Sequence, residues 1–336
     1  MKKGIAIAGN MIVDMLYPTN GLPRPGELVT ITGDMTRATG GCLCNDIIDL
    51  AALDPALPLT ALGRVGDDEA GDYVLERLRA RPNIDLSQVK RGGTTSYTLV
   101  MHDEVNHRRS FFQCRGANAG FCEADIDWDA LDVDLLHVGY ILLLDALDAP
   151  DEAYGTKLAR LLHTAKQRGI RTSIDVVSEA GERFRHIVVP ALKYTDYCVI
   201  NELEAQATTG VELVDASGNL RRENLPGALA RMKALGVSAW AVIHSPEGGF
   251  GLDEDGRYVA VEGLKLPKGY IKGTVGAGDA FCSGVLYAAW KGAPLAEAIE
   301  LGTAAAACSL SQPGATEGMR DYESAMALYR SMRPGG

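Results

Sequence analysis

Short runs of aliphatic and β-branched residues recur along the chain, and most of them are followed by a segment with helical spacing of its apolar positions. The runs that predict buried strands are Ile5–Ala8, Leu59–Leu62, Leu135–Val138, Arg171–Ile174, Tyr197–Ile200 and Ala239–Ile243. The helical patterns cover Asp46–Leu53, Glu69–Ala80, Ala153–Arg168, Glu202–Thr208 and Leu225–Leu235. This alternation predicts an α/β fold with a mostly parallel, doubly wound sheet and helices on both faces. In such sheets, ligands bind outside the carboxyl ends of the strands.

Two segments break this alternation. Glu27–Arg37 has the composition of a strand, and so do Thr94–Met101 and Arg109–Cys114, which are separated by the polar turn His102–His107. These pieces predict a small separate sheet, a β lid formed by about residues 16–38 and 92–116 that would exclude water from a reaction site. Extra strands at an edge of the main sheet would give the same pattern. Because we find no repeat or linker, we expect residues 1–336 to form a single domain.

The composition is ordinary for a globular protein, with 46% hydrophobic and 23% charged residues. The net charge of −11 argues against nucleic acid or an anionic membrane as a partner, and no stretch approaches the roughly 18 apolar residues of a membrane span. The apolar run from Ile5 breaks at Gly9-Asn10, too early for the core of a signal peptide, so we expect a cytoplasmic protein. Seven cysteines without CxxC spacing predict free thiols in a reducing compartment rather than a zinc site.

The segment Gly273–Phe281, with the sequence GTVGAGDAF, combines a Gly/Ala-rich loop with a carboxylate. Apolar residues recur at helical spacing after it, which places Gly276, Ala277 and Gly278 at the N-terminus of a long helix. The unpaired N–H groups there and the positive end of the helix dipole suit a phosphate or a developing negative charge. Asp279, at the mouth of this anion site, would accept a proton from an attacking hydroxyl. A Gly-rich turn whose Asp caps the helix would leave the same pattern.

Polar residues also follow the first predicted strand and precede the first helix. Asn10 and Asp14 come after the strand, where an Asp either accepts hydrogen bonds from substrate hydroxyls or serves as a turn residue. Gly40 and Gly41 come before the helix and allow the backbone to approach a ligand closely. Asn45 offers both a donor and an acceptor next to them.

Three further motifs allow a structural and a functional interpretation. Asn201 and Glu204 lie three residues apart at the start of a helix, where their oxygens suit Mg²⁺ or form a capping box. His244 ends a strand and either lines a nucleotide pocket or is structural. The Gly-Arg-Val-Gly-Asp-Asp turn is expected to be mainly structural, with Asp67 or Asp68 as the N-cap.

In this order, the motifs resemble those of the PfkB (ribokinase-like) family of carbohydrate and nucleoside kinases, and the resemblance covers essentially the whole chain. Its elements here are the early Asp, the Gly-Gly-x-x-x-Asn segment, the Gly-Arg-Val-Gly-Asp-Asp turn, Asn-x-x-Glu and the late Gly-Ala-Gly-Asp, the most specific of them. The resemblance implies a three-layer α/β/α fold with a β lid over the acceptor, often a homodimer through the lids. It also implies transfer of the γ-phosphoryl group of ATP to an alcohol.

The resemblance assigns roles to individual residues. By it, Asp279 is the general base, and the backbone of Gly276, Ala277 and Gly278 with that of Asp279 forms the anion hole. The residues expected to bind the acceptor are Asp14, Gly40, Gly41 and Asn45. Those expected to border ATP and Mg²⁺ are Asn201, Glu204, His244, Gly249, Thr274 and Thr303, with Glu204 holding the metal through water.

Several positions depart from the usual family pattern. Gly273 stands where many members have an Asp that helps to hold a monovalent cation, so K⁺ activation is in doubt. Cys42 stands where many kinases of ribose and fructose phosphates have a Lys, which argues against a phosphorylated acceptor, although Arg115 keeps that possibility open. Pro246 replaces a common Gly and indicates an unusual loop on the adenine side.

These observations favour an ATP-dependent kinase for a small sugar. A nucleoside kinase of the same family is the alternative; its pocket would need aromatic rings, and only 6% of the residues are aromatic. A non-catalytic sensor that binds a sugar or nucleotide is a third possibility. The presence of Asp279, Asn201 and Glu204 together argues against the sensor, because a protein without chemistry needs neither a base nor a metal-binding pair.

Overall fold

The structure is a computed structural model that describes residues 3–106, 108–178, 181 and 183–333. Within these residues the strands are β1 Gly4–Ala8, β2 Ile12–Thr19, β3 Thr36–Gly40, β4 Leu59–Leu62, β5 Arg64–Val65, β6 Ile84–Asp85, β7 Lys90–Arg91, β8 Ser96–Asp103, β9 Arg108–Cys114, β10 Val133–Ile141, β11 Pro150–Asp151, β12 Gly155–Thr156, β13 Arg171–Val176, β14 Tyr197–Asn201, β15 Trp240–Ser245, β16 Gly248–Leu252 and β17 Tyr258–Glu262. The α-helices are α1 Cys42–Leu53, α2 Glu69–Arg79, α3 Asp145–Asp148, α4 Lys157–Gln167, α5 Arg183–Leu192, α6 Glu202–Thr209, α7 Leu225–Leu235, α8 Ala277–Lys291, α9 Leu295–Leu310 and α10 Tyr322–Met332.

The main sheet has the strand order β17-β16-β15-β14-β13-β10-β1-β4-β6. The strands from β6 to β15 run parallel, whereas β16 and β17 are antiparallel additions at one edge. Side chains alternate between the two faces, so that Ile5 and Ile7 of β1 pack into one apolar core while Ala6 and Ala8 pack into the other. The first core lies against α1, α2, α8, α9 and α10, and the second against α3 to α7. The predicted three-layer α/β/α architecture is confirmed.

All six predicted strands are present, with ends within two residues of the prediction except in β10, which extends further at its carboxyl end. Helix α4 begins at Lys157 rather than at Ala153, because Pro150–Asp151 pairs with Gly155–Thr156 in a short hairpin before it. The sequence analysis did not predict α5. This helix contains Pro190, and a proline interrupts the residue pattern that is typical of a helix. Within the described residues, no helix combines the length and apolar character needed to cross a bilayer.

A second sheet of four strands, in the order β3-β2-β8-β9, stands apart from the main one. We call this sheet the lid. The predicted strands at 94–101 and 109–114 correspond to β8 and β9, and the predicted turn between them ends at His107, which lies outside the described residues. The predicted strand Glu27–Arg37 is wrong over most of its length: only Ile31 forms an isolated bridge there, to Thr19, and a regular strand begins at Thr36.

The central lid strand β2 was not predicted as a strand. It pairs with β3 and β8 along most of its length and follows β1 after only three residues. The sequence analysis placed Asp14 at the carboxyl end of β1, but the structure places it in the middle of the lid, opposite Thr98 of β8. The lid therefore carries two of the predicted acceptor-binding residues itself, Asp14 in β2 and Gly40 at the end of β3.

Helix α8 is held against α9 by two glycines. A Cβ added to Gly284 would lie 2.8 Å from the Cα of Gly302, so the two backbones are in direct contact. Apolar residues such as Val285 and Leu301 complete this packing. The close contact fixes α8 beneath the carboxyl ends of the central strands.

Candidate active site

Helix α8 begins in the predicted Gly-rich loop. Its N-cap is Gly276, which has the left-handed φ of 76°, a conformation that favours glycine, and no side chain caps this helix end. A Cβ at Gly276 would lie 2.6 Å from the Cβ of Ala315, so the site also has no room for one. The N–H groups of the first turn, from Ala277 to Asp279, are thus available to an anion.

Asp279 lies in this first turn and is almost fully buried. Its Oδ2 accepts two hydrogen bonds, one of 2.7 Å from the Asn45 side-chain amide and one of 3.0 Å from the Tyr140 hydroxyl. Within the described residues, Oδ1 accepts no hydrogen bond and remains available to a ligand. Burial raises the pKa of Asp279, and the hydrogen bonds from Asn45 and Tyr140 oppose this shift because they stabilise the carboxylate.

Tyr140 was missed by the sequence analysis. It lies near the carboxyl end of β10 with a φ of 53°, unusual for a residue other than glycine, and its N–H donates to Asp175 at 2.5 Å. Strained backbone of this kind is concentrated at functional sites. A signal was present, since both Tyr140 and Asp175 directly follow predicted strands at the edge of the sheet where ligands bind.

The predicted acceptor-binding residues lie together on the lid side of Asp279. A Cβ at Gly40 would lie 2.2 Å from Oδ2 of Asp14, and one at Gly41 would lie 2.4 Å from the carbonyl oxygen of Asn10. Gly41 has a φ of 85° and is the N-cap of α1. Burial raises the pKa of Asp14 to about 6; a hydrogen bond with Thr98 lowers it and the charge of Asp279 raises it further.

Two buried polar atoms in this region have no hydrogen-bond partner within the described residues. They are Oδ1 of Asn45 and Nδ2 of Asn10. An unpaired buried amide atom costs free energy comparable to a lost hydrogen bond, so such atoms mark a place where a polar ligand would bind. One is an acceptor and the other a donor, as recognition of hydroxyl groups requires.

Asn201 and Glu204 form the capping box at the start of α6. The Asn201 side chain accepts from the N–H of Glu204 at 2.9 Å, and Oε2 of Glu204 accepts from the N–H of Asn201 at 2.9 Å. Oε1 of Glu204 accepts from the Ser178 hydroxyl at 2.8 Å. Burial raises the pKa of Glu204 to about 7, although the hydrogen bonds from Asn201 and Ser178 lower it. The capping interpretation is confirmed, and it leaves Glu204 facing a cavity.

That cavity has a volume of about 220 Å³ and lies between Glu204 and the N-terminus of α8. Its lining includes Tyr140, Asp175, Ser178, Asn201, Glu204, His244, Gly276, Gly278 and Asp279. A larger cavity of about 400 Å³ adjoins it and shares Asn201, His244 and Gly278. The two cavities thus meet at the N-terminus of α8.

The larger cavity has a mainly apolar lining. Its lining includes Leu203, Pro246, Gly248, Leu264, Leu266, Ile271, Thr274, Phe281, Thr303 and Leu310. Of the residues predicted to border the nucleotide, His244, Thr274 and Thr303 line this cavity. The structure does not bring Gly249 to it: a Cβ there would lie 2.4 Å from Ile299 of α9, so Gly249 permits packing instead. The His244 ring lies 5.0 Å from that of Phe281, and burial lowers the pKa of His244 to about 4.

The Gly-Arg-Val-Gly-Asp-Asp turn is structural, as expected. Asp68 is the N-cap of α2 and accepts from the N–H of Gly71 at 2.9 Å. Its other oxygen accepts from the N–H of Thr95 at 2.8 Å, at the entry to lid strand β8. The turn therefore ties the lid to the main domain.

Several known proteins have sequences similar to that of this chain. Ribokinase of Arabidopsis thaliana is 24% identical over 335 residues, which cover 97% of this chain and 81% of that protein. Adenosine kinase of Schizophyllum commune is 26% identical over 84% of this chain and 81% of its own length. The match to the bifunctional ribokinase/ribose-5-phosphate isomerase A of Fructilactobacillus sanfranciscensis, 25% identical, covers 66% of this chain and only 38% of that protein.

Several solved structures have the same fold as this chain. The structure of Arabidopsis thaliana ribokinase complexed with ribose and ATP has a TM-score of 0.80 at 20% identity and covers 98% of this chain and 99% of its own. Ribokinase from Thermotoga maritima has a TM-score of 0.79 at 21% identity, with the same coverage. The family model described as pfkB family carbohydrate kinase matches residues 2–321. The chain therefore belongs to the pfkB family of carbohydrate kinases, which confirms the predicted family, fold and class of phosphotransferase.

Proposed function

We propose that this kinase transfers the γ-phosphoryl group of ATP to a hydroxyl group of a small free sugar. The observation that carries the proposal is the position of Asp279 at the N-terminus of α8, where the two cavities meet. The larger, apolar cavity suits a nucleobase, and the polar region near Asp14 and Asn45 suits a polyol.

In this proposal, the acceptor hydroxyl donates to Oδ1 of Asp279, to which no group in the described part of the chain donates. Asn45 and Tyr140 hold the carboxylate in place through Oδ2, so that Oδ1 receives the proton as the hydroxyl attacks phosphorus. The N–H groups of Ala277 and Gly278 stabilise the negative charge that develops on the transferred group. The lid brings Asp14 to the acceptor and excludes water, the competing nucleophile.

Glu204 fits a role in organising Mg²⁺ through water. Both of its oxygens already accept hydrogen bonds, from Asn201 and Ser178, so a direct bond to the ion would compete with them. A carboxylate fixed in this way orients water in the coordination sphere of Mg²⁺, which keeps several waters when it bridges phosphates. The bound ion would neutralise charge on the phosphates during transfer.

A nucleoside remains the second candidate acceptor, and one lid residue favours it. Phe111 is 62% exposed, and its pairing with Val100 places it on the same face of the lid as Asp14 and Thr98. An aromatic ring beside the acceptor would stack on a base. Against this, Phe111 is the only Phe, Tyr or Trp of the described lid strands on this face, while Asn10, Asn45 and Asp14 offer several polar groups for a sugar.

The lid also supports the proposal of a homodimer. Several large apolar side chains with exposed surface lie on the lid face away from Asp14 or in the lid loops: Leu28, Ile31, Val105 and Phe112. Exposed apolar residues concentrated in one small sheet are typical of a protein–protein contact. A second copy of the chain is the partner that we propose for them.

The test is release of ADP in the presence of free sugars, sugar phosphates and nucleosides, with Asp279→Asn as the matched control. We expect turnover with a free sugar, and we expect the variant to bind ATP almost normally while kcat falls by roughly 10²–10⁴-fold. Turnover only with a nucleoside would select the alternative. Lack of turnover with every acceptor would favour a non-catalytic sensor, and near-normal kcat in the variant would refute the role of Asp279.

A further inference from the structure

Beneath the active site lies a buried cluster of four side chains that the kinase chemistry does not use. Cys42 and Asp46 come from one face of α1, His137 from β10 and Asp175 from β13. Cys42, Asp46 and His137 have no exposed surface, and Asp175 is 6% exposed. One atom of each, Sγ, Nε2 or a carboxylate oxygen, lies within 4.8 Å of all the others.

The geometry points to a structural site for Zn²⁺, or a divalent transition metal of similar preference, bound by Cys42, Asp46, His137 and Asp175. This inference is separate from the proposed kinase activity and does not depend on it. A thiolate, an imidazole and carboxylates are the donors that Zn²⁺ takes in proteins, and four protein donors are typical of a structural rather than a catalytic zinc site.

The spacing of three donor atoms fits a tetrahedral site. Sγ of Cys42 lies 3.1 Å from Oδ2 of Asp46 and 3.6 Å from Nε2 of His137, and Oδ2 lies 3.2 Å from Nε2. Ligands of a tetrahedral ion with bonds of about 2.0–2.3 Å lie roughly 3.3–3.8 Å apart. A shift of a few tenths of an ångström would accommodate these three, and a carboxylate oxygen of Asp175 lies within 4.8 Å of all of them.

The surroundings of the cluster match those of metal ligands. The other ring nitrogen of His137, Nδ1, lies 3.0 Å from the Ser173 hydroxyl, and such an outer partner fixes the orientation of a ligating imidazole. Gly139 leaves room for the cluster, since a Cβ there would lie 1.6 Å from Sγ of Cys42. Within the described residues, no lysine or arginine forms an ion pair with Asp46 or Asp175, and the one such contact of Asp46 is with His137 of the cluster itself, at 3.2 Å.

A metal ion could enter this site through the active site, and its binding would affect the residues that position the proposed base. Asp175 lines the 220 Å³ cavity, so an ion can reach the cluster through the active site. The same carboxylate accepts from the N–H of Tyr140, whose hydroxyl donates to Asp279. A bound ion would therefore stiffen the strand end that positions the proposed base. Cys42 would bind as the thiolate and release its proton to solvent.

The spacing of the cysteines along the chain gave no indication of this site, because its donors come from three distant elements. Only Cys42 and Asp46 are close in sequence, four residues apart on one face of α1. The sequence analysis considered cysteine pairs alone and therefore argued against zinc. The remaining donors are brought to this pair by the sheet.

The test is the metal content of the full chain, produced in zinc-supplemented medium and dialysed against EDTA to remove exchangeable Mg²⁺. We expect about one zinc per chain, with X-ray absorption showing one sulfur at about 2.3 Å and nitrogen or oxygen ligands at about 2.0–2.2 Å. Cys42→Ser and His137→Gln should lose most of the metal. Cys44→Ser, a buried cysteine of the same helix outside the cluster, should retain it.

Replacement of zinc by Co²⁺ gives a second readout that does not require the variants to fold. We expect the cobalt-loaded wild-type chain to show a sulfur-to-metal charge-transfer band. A wild-type chain that holds far less than one ion and shows no such band would overturn the site; the four side chains would then form a hydrogen-bonded network that retains its protons. Equal metal contents in the Cys42→Ser and Cys44→Ser variants would also overturn it.

Discussion

The Tyr140 hydroxyl and the Asn45 amide donate to the same oxygen of Asp279, at 3.0 and 2.7 Å, and no described residue donates to its other oxygen. One donor comes from the end of a central strand and the other from α1, so the two elements fix the carboxylate from different directions. This arrangement distinguishes the oxygen that is held from the oxygen that is proposed to take the proton. It also gives Tyr140 a testable role in positioning the base.

We predict that Tyr140→Phe lowers kcat roughly tenfold, the effect of losing a hydrogen bond to a charged group. The hydroxyl stabilises the carboxylate, so its removal raises the pKa of Asp279. Because the base must be ionised, the acid limb of the kcat/KM profile should move to higher pH. Tyr258→Phe, at an exposed position in β17, is the control and should leave the profile unchanged. An unchanged profile in the Tyr140 variant would contradict the assignment.

We predict that binding of the acceptor depends on pH because of the Asp14 carboxylate. Its pKa is raised to about 6 by burial, so the carboxylate forms as the pH rises through about 6 and loses its charge below that value. The KM for the acceptor should therefore fall as the pH rises through this range, while the KM for ATP stays constant. In Asp14→Asn this dependence should disappear, and the acceptor KM should be about 10–100-fold higher at pH 8. Equal changes in both KM values would contradict a role confined to the acceptor.

Glu204→Gln tests the proposed contact with Mg²⁺. Glutamine still accepts from the N–H of Asn201, so the capping box and the melting temperature should be nearly unchanged. The loss of charge should raise the Mg²⁺ concentration for half-maximal rate by about tenfold or more, as expected when an outer partner of a metal is altered. Titration of the rate with Mg²⁺ at saturating ATP would measure this. A Mg²⁺ dependence like that of the wild type would limit Glu204 to its structural role.

The parts of the site that the sequence predicts are those formed by local segments. The Gly-rich loop and α8 are contiguous, so the spacing of Gly276, Gly278 and Asp279 was enough to place these residues at the N-terminus of a long helix. The two residues that hold Asp279 are 234 and 139 positions away from it, and their convergence depends on the order of strands in the sheet. The local pattern of residues does not predict such long-range contacts, although it does predict the strand ends near which ligands bind.

The errors have similar causes. Segment 27–37 has β-type composition, but Pro23 and Pro25 precede it and it has little to pair with, so only its last residues enter a regular strand. The family resemblance assigned Gly249 to the border of the nucleotide, yet the group next to its Cα is Ile299 of α9, which would lie 2.4 Å from an added Cβ. In both cases the outcome depends on the group that packs or pairs with the segment in the folded chain, and the local sequence does not identify that group.

The proposed dimer is tested at Phe112. This residue is 60% exposed and pairs with Leu99, which places it on the lid face opposite Asp14 and away from the acceptor. Phe112→Glu should shift the chain from dimer to monomer in sedimentation velocity, because a charge would be buried in an apolar contact. Tyr258→Glu, another exposed aromatic position outside the lid, is the control. A monomeric wild-type chain, or an unaffected dimer in the Phe112 variant, would refute the proposed interface.

We expect the reaction rate to depend only weakly on monovalent cations, because residue 273 is a glycine. This position has no carboxylate, and a Cβ there would lie 2.5 Å from the carbonyl oxygen of Pro313, so the local backbone leaves no room for an aspartate without rearrangement. A cation next to the anion hole would thus lack its usual anionic ligand. At constant ionic strength, rates in KCl, NaCl and choline chloride should agree within about twofold, less than about 0.5 kcal/mol in activation free energy. Activation by K⁺ of about tenfold or more would show that carbonyl groups alone form the cation site.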